Sequence, residues 1–323
     1  MAIVLPSVIQ GPAYIGTGGV VIYVQDKITV EELAESFNPK TTFGPAGERH
    51  VSRIFKLAFT PVGMINAALM DFFYEAHMAP ASYMGLSIFP ASNFAVTIYS
   101  VAEGKTYGFV RGGIGKPPDL MLLPTGTAFG QMELLCIGAA ATQPTATNFI
   151  KQTQGSIGSA DTSYDPTKLT TDIYSGVLGS LGSPYNSLGG MDGFAIKFGY
   201  RTKNIKASDI GIADIVLDQE GFTIGADFAP SNLTEAQADT LVGYQGTNAV
   251  LPGQAYGGSA ESGNLVLTGQ SSGHVFTVYG LGAKSAKRIY AIGEHRFPKG
   301  AVSMVNQMAF TTGAPTALFG YTN

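Results

Sequence analysis

Two stretches of this chain carry the same elements in the same order at a constant spacing. The strand-like run Phe55-Lys56-Leu57-Ala58-Phe59-Thr60-Pro61 leads into a helix-like run, Ile65 to Tyr74. The run from Phe222 to Pro230 leads in the same way into Leu233 to Tyr244. Pro61 and Pro230 lie 169 residues apart (230 − 61 = 169). The spacing persists downstream, where Gly104 matches Gly273 (273 − 104 = 169) and Gly130 matches Gly300 (300 − 130 = 170). Order and spacing match better than residue identity. A chain of this kind has to solve one packing problem twice, and the 323 residues leave each copy enough length to bury its own core.

The elements themselves are mostly strands, read as short apolar or alternating runs bounded by Gly and Pro. In the first half they are Val20 to Val24, Ser52 to Thr60, Phe94 to Val101, Thr106 to Arg111, Asp119 to Leu123 and Gln131 to Ile137. Gly104 supplies the turn of a hairpin between the third and fourth. In the second half they are Gly193 to Tyr200, Ala213 to Leu217, Phe222 to Phe228, Leu265 to Thr268, His274 to Tyr279, Arg288 to Ile292 and Ala301 to Phe310. Each half has one amphipathic helix. That of the second half opens on a capping pattern, Asn232 followed by Glu235. The predicted fold is mainly β: two tandem β-sandwich or barrel domains, each with a packed α-helix, related by internal duplication.

The predicted boundaries are residues 1–141, a linker at 142–187, and 188–323. The linker is rich in Gly, Ser, Thr and Pro, with weak helical patterns at Thr145 to Gln152 and Pro166 to Val177. Met1 to Gly19 reads as an extended arm rather than a core element. That arm, the polar loop Asn38 to Glu48 and the linker are expected to order only against neighbours, because each lacks a periodic apolar pattern.

Charged residues are 13% of the chain, against about 25% in a typical domain. So much uncharged surface implies burial between subunits, whose contacts are depleted of charge. The chain reads as an obligate oligomer. No apolar run approaches the roughly 20 residues that cross a bilayer. The start lacks the basic n-region of a secretory signal, its first charged side chain being Asp26. The single cysteine, Cys136, sits in an apolar run and fits synthesis in a reducing cytoplasm. Nineteen basic and 23 acidic residues without a basic cluster exclude nucleic-acid binding through clustered phosphate contacts.

Candidate reactive motifs fail on inspection. Gly112-Gly113-Ile114-Gly115-Lys116 suggests a phosphate loop, but Pro117 follows the lysine and Val110 stands where the first Gly belongs, so it reads as a turn between strands. Gly269-Gln270-Ser271-Ser272-Gly273 matches a nucleophile-elbow pattern, yet strands flank it on both sides and it reads as a hairpin loop. Gly16-Thr17-Gly18-Gly19 is too short for a dinucleotide fingerprint. His50, His77, His274 and His295 lack the close spacing of metal ligands, and Glu294-His295-Arg296 reads as a hairpin tip. Asp161, Asp165 and Asp172 read as turn and cap residues. No catalytic, cofactor-binding or metal-binding residue is assigned, and the chain is not expected to be an enzyme.

Several passages resemble the major tail proteins of long, non-contractile-tailed bacteriophages. They are Leu5 to Ala13, Phe59 to Gly63, Leu86 to Phe89, Asn232 to Gln237, Leu251 to Gln254 and Thr312 to Phe319. The resemblance implies a β-sandwich or barrel whose strands join those of neighbours, with rings stacking into a hollow tail tube in the virion. Three two-domain chains, or six chains using one half each, would make a ring. The implied partners are further copies of the chain and the tape-measure, tail-terminator and distal tail proteins. DNA would pass through a neutral to acidic lumen without specific binding. Rival readings are another virion component such as a terminator, and a tandem module binding carbohydrate at a cell surface.

Overall fold

The computed structural model describes residues 6–137, 150–153, 172–237, 263–283, 302–306 and 317–323, except 18–19, 38–39, 43, 46–48, 64, 90–94, 102, 110, 180–184, 208–210, 219–221 and 235–236. The chain opens with β1 (Val8–Gln10), β2 (Ala13–Thr17), β3 (Val20–Val24), β4 (Lys27–Phe37), the two-residue strands β5 (Lys40–Thr41) and β6 (Gly44–Pro45), β7 (Arg49–Phe59) and β8 (Pro61–Val62). Helices α1 (Ala67–Met78) and α2 (Pro80–Tyr83) follow. Then come β9 (Val96–Ser100), β10 (Lys105–Phe109), β11 (Arg111–Lys116), β12 (Leu120–Leu123), β13 (Gly126–Phe129), β14 (Met132–Ile137) and β15 (Ile150–Thr153). The later strands are β16 (Tyr174–Leu178), β17 (Gly190–Gly199), β18 (Thr202–Ala207), β19 (Gly211–Leu217), β20 (Thr223–Pro230), β21 (Gly263–Gly269), β22 (Val275–Ala283), β23 (Val302–Asn306) and β24 (Phe319–Thr322).

The protein is mainly β, with several antiparallel sheets. The largest run in the orders β1-β4-β7-β14-β11, β15-β10-β9-β2-β3-β8 and β13-β12-β17-β20-β23-β22-β21-β16, with β24 added to β22. The strands form where side chains alternate: along β9, Val96 and Ile98 are fully buried while Thr97 and Tyr99 face outward. Gly104 turns this strand into β10 at a φ of 62°, and Gly273 turns β21 into β22 at 74°, a backbone region that a side chain disfavours. Helix α1 starts because the side chain of Asn66 accepts the Leu69 amide at 2.9 Å. Its Leu69, Met70, Phe73, Tyr74 and His77 fall on one buried face.

Several rungs of the ladders recur at similar spacings in the two halves. Phe59 pairs with Met132 in the first half, and Phe228 with Val302 in the second. Those pairs differ by 169 and 170 residues (228 − 59 = 169; 302 − 132 = 170), the spacings read from the sequence. Ile98 opposite Tyr107 corresponds to Leu267 opposite Phe276, again 169 apart (267 − 98 = 169; 276 − 107 = 169). Phe109 opposite Ile150 corresponds to Val278 opposite Phe319 at the same offset (278 − 109 = 169; 319 − 150 = 169). Strand β22 spans positions that correspond to those of β10 and β11 in the first half.

Several expectations are corrected. Residues 8–17 are not an arm: β2 lies between β9 and β3 inside a sheet, and Ile9 and Ile15 are fully buried. Gly and Pro obscured a strand whose inward residues are as apolar as any other. Gly112 to Lys116 form β11 rather than a turn, because neighbours crowd this edge: a Cβ on Gly113 would lie 2.4 Å from the Ile88 carbonyl oxygen. Within the predicted linker, Ile150–Thr153 and Tyr174–Leu178 are strands, taken up by the open edges of β10 and β21 where helical patterns ended. The Asn232 side chain engages the loop before it. Its amide oxygen accepts from the Gly189 amide at 3.1 Å, while Thr234 and Gln237 exchange the two hydrogen bonds of a capping box. The hairpin β12–β13, from within residues 1–141, adds to the edge of β17, so one ladder crosses that boundary. Arg288 to Ile292, Glu294 to Arg296, Asp161 and Asp165 lie outside the described residues.

Candidate functional site: the junction and the outer faces

The halves meet along α1. Tyr74 stacks on Phe198 with ring centroids 4.0 Å apart and donates from its hydroxyl to the Pro118 carbonyl at 3.0 Å. One turn later, His77 is fully buried, its Nε2 lying 3.1 Å from the Gly199 carbonyl oxygen and 3.2 Å from that of Thr223. Both partners are acceptors, so Nε2 carries the proton and the ring is neutral. Nδ1 is buried without a hydrogen-bond partner. Burial lowers the imidazole pKa to about 4, although the two carbonyls work the other way. In return, the Leu318 amide donates to the His77 carbonyl at 2.8 Å. His77 is a core histidine that pins the helix to the ends of β17 and β20.

A cleft of about 560 Å³ opens beside this junction, walled by Phe72, Ala76, Tyr83, Ile88, Arg111 and Tyr200. The Arg111 guanidinium lies 4.9 Å from the centre of the Phe89 ring and 3.7 Å from the Asp214 carboxylate. That carboxylate also accepts from the Ser87 hydroxyl at 2.6 Å and the Ile215 amide at 2.8 Å. These bonds tie residues 85–89 to β19, which the backbone also joins at Ser87 and Val216. The Arg111–Asp214 pair is a structural lock at the cleft, whose lining also includes Glu75.

The serine motif has a structural explanation. Asp172 accepts from the amides of Ile173, Ser271 and Ser272 at 2.8, 2.9 and 2.9 Å, and from the Ser272 hydroxyl. Burial raises the carboxyl pKa, but these hydrogen bonds outweigh it and hold it at about 2. His274 places its Nδ1 2.9 Å from the Tyr321 hydroxyl. The motif is a hairpin turn tied by a carboxylate. Cys136, in β14, is 1% exposed, and burial pushes its thiol far up. Among the described residues no three His, Cys, Asp or Glu side chains are grouped to hold a metal ion. Nor is any helix among them long and apolar enough to cross a membrane.

The outer faces differ in kind. On β4, β7 and β14 stand Glu31, Lys56 and Glu133, with Lys56 Nζ 2.6 Å from Glu31. The matching strands β17 and β20 carry the ion pair of Lys197 and Asp227. Two other rows are uncharged among the described residues. Across β3, β2, β9 and β10 run Tyr23, Tyr14, Tyr99 and Thr106, one per strand, with Tyr14 itself buried. Across β16, β21, β22 and β24 run Ser175, Thr268, Val275 and Thr322. Tyr14 and Tyr99 stack at 4.5 Å with ring planes 14° apart, so their faces are turned to each other. Sequence reasoning missed both faces. Alternation identifies an outward residue, but only register shows which outward residues share a row.

The sequence matches no known family and no curated protein.

Proposed function

We propose that the chain is a structural virion protein, the repeating unit of a bacteriophage tail tube. The observation that carries this reading is the repeated strand register, Phe59 on Met132 against Phe228 on Val302, joined to a composition with few charges. Those matching ladders support a tandem duplication into two sandwich-like domains. The two halves then stand in for two subunits, and three chains make a pseudo-sixfold ring. Stacked rings enclose a channel. The resemblance of Leu5 to Ala13, Phe59 to Gly63 and Thr312 to Phe319 to tail-tube proteins points the same way and supplies the tape-measure, terminator and distal tail proteins as partners.

Channel chemistry favours the charged faces as the lining. Glu31, Glu133 and Asp227 stand there against Lys56 and Lys197, and both lysines are engaged in ion pairs. DNA is held by cations that release counterions from its phosphates. A wall with its lysines neutralised leaves that attraction weak, so DNA slides. The stacked tyrosines speak against the carbohydrate-binding reading, since a sugar platform offers its ring faces to solvent.

Negative-stain microscopy of the purified chain, raised in concentration with and without tail-tip proteins, tests this reading. Hollow tubes are expected. Monodisperse monomers under every condition overturn it, and isolated rings that never stack assign the chain to a terminator instead.

A further inference from the structure

The cleft at the junction draws its walls from both halves and contains a cation that the protein leaves poorly met. Phe72 and Ala76 come from α1, Tyr83 from α2, Ile114 from β11, and Tyr200 and Leu217 from the second half. These walls are apolar and aromatic, and a volume of about 560 Å³ suits a small organic molecule. The polar groups of the wall are mostly spent. The Tyr200 hydroxyl donates to the Ile114 carbonyl, and the Ser87 hydroxyl donates to Asp214.

Arg111 is different. Its Nη1 is buried without a hydrogen-bond partner. Its Nη2 lies 3.7 Å from Asp214 Oδ1, beyond hydrogen-bonding distance. That same oxygen already accepts from Ser87 at 2.6 Å and from the Ile215 amide at 2.8 Å. The Phe89 ring, 4.9 Å away, attracts the charge but accepts none of the N–H groups at the guanidinium edge. A buried donor left unmet is costly, and native proteins meet such groups with an acceptor. Arg111 lines the cleft and keeps 19% of its side chain exposed, so an anion there can reach it.

We propose that this cleft binds an aromatic monocarboxylate, with its ring against Phe72, Tyr83 and Tyr200 and its carboxylate on the Arg111 fork. A carboxylate is the acceptor that matches two parallel guanidinium N–H groups. The side chain is held only by a long ion pair and by Phe89, so a modest rotation presents both Nη atoms to the ligand. Aromatic walls favour a ring, which they meet by edge or offset contacts. Glu75 limits the charge to one. It stands exposed in the wall, hydrogen-bonded by the Tyr83 hydroxyl, and opposes a second anionic group. Because the ligand touches both halves, binding ties them together and raises the melting temperature.

The test uses 2-naphthoate, whose fluorescence anisotropy is read without tryptophan background, because the chain has no Trp. Its neutral analogue, 2-naphthalenemethanol, lacks the carboxylate. Wild-type protein is expected to bind 2-naphthoate saturably, with a rise in melting temperature, and the alcohol about tenfold more weakly. Equal affinity for the two, or no saturable binding of the acid, overturns the proposal. Arg111→Gln is expected to bring the acid down to the affinity of the alcohol and to leave the alcohol unchanged. An equal loss for both compounds overturns the anchoring role of Arg111. Ala76→Phe fills the cleft from α1 without touching the arginine and is expected to abolish binding of both. Undiminished binding by this variant puts the acid elsewhere and overturns the site, whether or not Arg111→Gln folds. None of these measurements depends on assembly, so the proposal stands or falls apart from the tube reading.

Discussion

Phe59 and Phe228 occupy matching rungs, each buried and each opposite the first residue of a later strand, whereas Tyr14 and its counterpart Ser175 share a rung and nothing else. Inner positions are conserved in kind between the halves: Ile98 and Leu267, Tyr107 and Phe276, and Phe109 and Val278 are all buried. One exchange is compensated. Ile15 corresponds to Gly176, where Leu267, Leu188 and Leu265 fill the space a side chain would need, all within 3.4 Å of a built Cβ. The outer positions have diverged freely. A core constrains its own residues through packing, but an outer face is constrained only by what covers it.

The largest expected effect removes the element that the sequence hid. Deleting Met1 to Gly19 takes β2 from between β9 and β3, and no cooperative unfolding transition is expected by circular dichroism. A folded truncated monomer would break the equivalence of β2 with β16. Next, Phe59→Ala and Phe228→Ala are each expected to cost about 3–5 kcal/mol in urea unfolding, with one shared transition in the wild type. The shared transition follows from Tyr74, His77 and the β12–β13 hairpin, which tie the halves together. Two separated transitions would show the halves to be independent.

Acid sharpens the comparison, because His77 is fully buried where the first half's helix meets β17 and β20. Its pKa is lowered on folding, from 6.5 to about 4, so the unfolded chain binds the proton more readily. The stabilisation is complete above about pH 6.5, falls as pH drops through the window from 6.5 to 4, and is gone below it. The loss is roughly 3 kcal/mol. His77→Leu is expected to flatten that slope in thermal melts between pH 4 and 7. The smallest effects distinguish the two hairpin turns. Asp172→Ala removes the carboxylate that holds Ser271 and Ser272 and is expected to cost about 2 kcal/mol. Ser100→Ala removes a hydroxyl that accepts the Glu103 amide at 3.2 Å and donates to the Gln10 carbonyl at 3.4 Å, for about 1 kcal/mol. Amide exchange at the two turns measures both, and equal effects would erase the distinction.

The legible part of the fold was the part written locally. Strands β3, β9, β12 and β14 were readable as short apolar or alternating runs between turn formers, and the Gly104 turn because glycine adopts its φ at no steric cost. The role of Asn232 in holding the loop 187–189 was not written locally, because its partners lie more than 40 residues away. No outward signal marked the tyrosine row, since its three members come from positions 14, 23 and 99.

By itself, the sequence determined the β class and the spacing of 169 residues between Pro61 and Pro230. Only the tertiary structure decided that residues 13–17 are an inner strand, that β12–β13 crosses to the other half, and which outward side chains form a neutral face. The physical reason is that alternation states how deep a residue lies but carries no address. The partner of a strand is chosen by edges and volumes contributed from far along the chain.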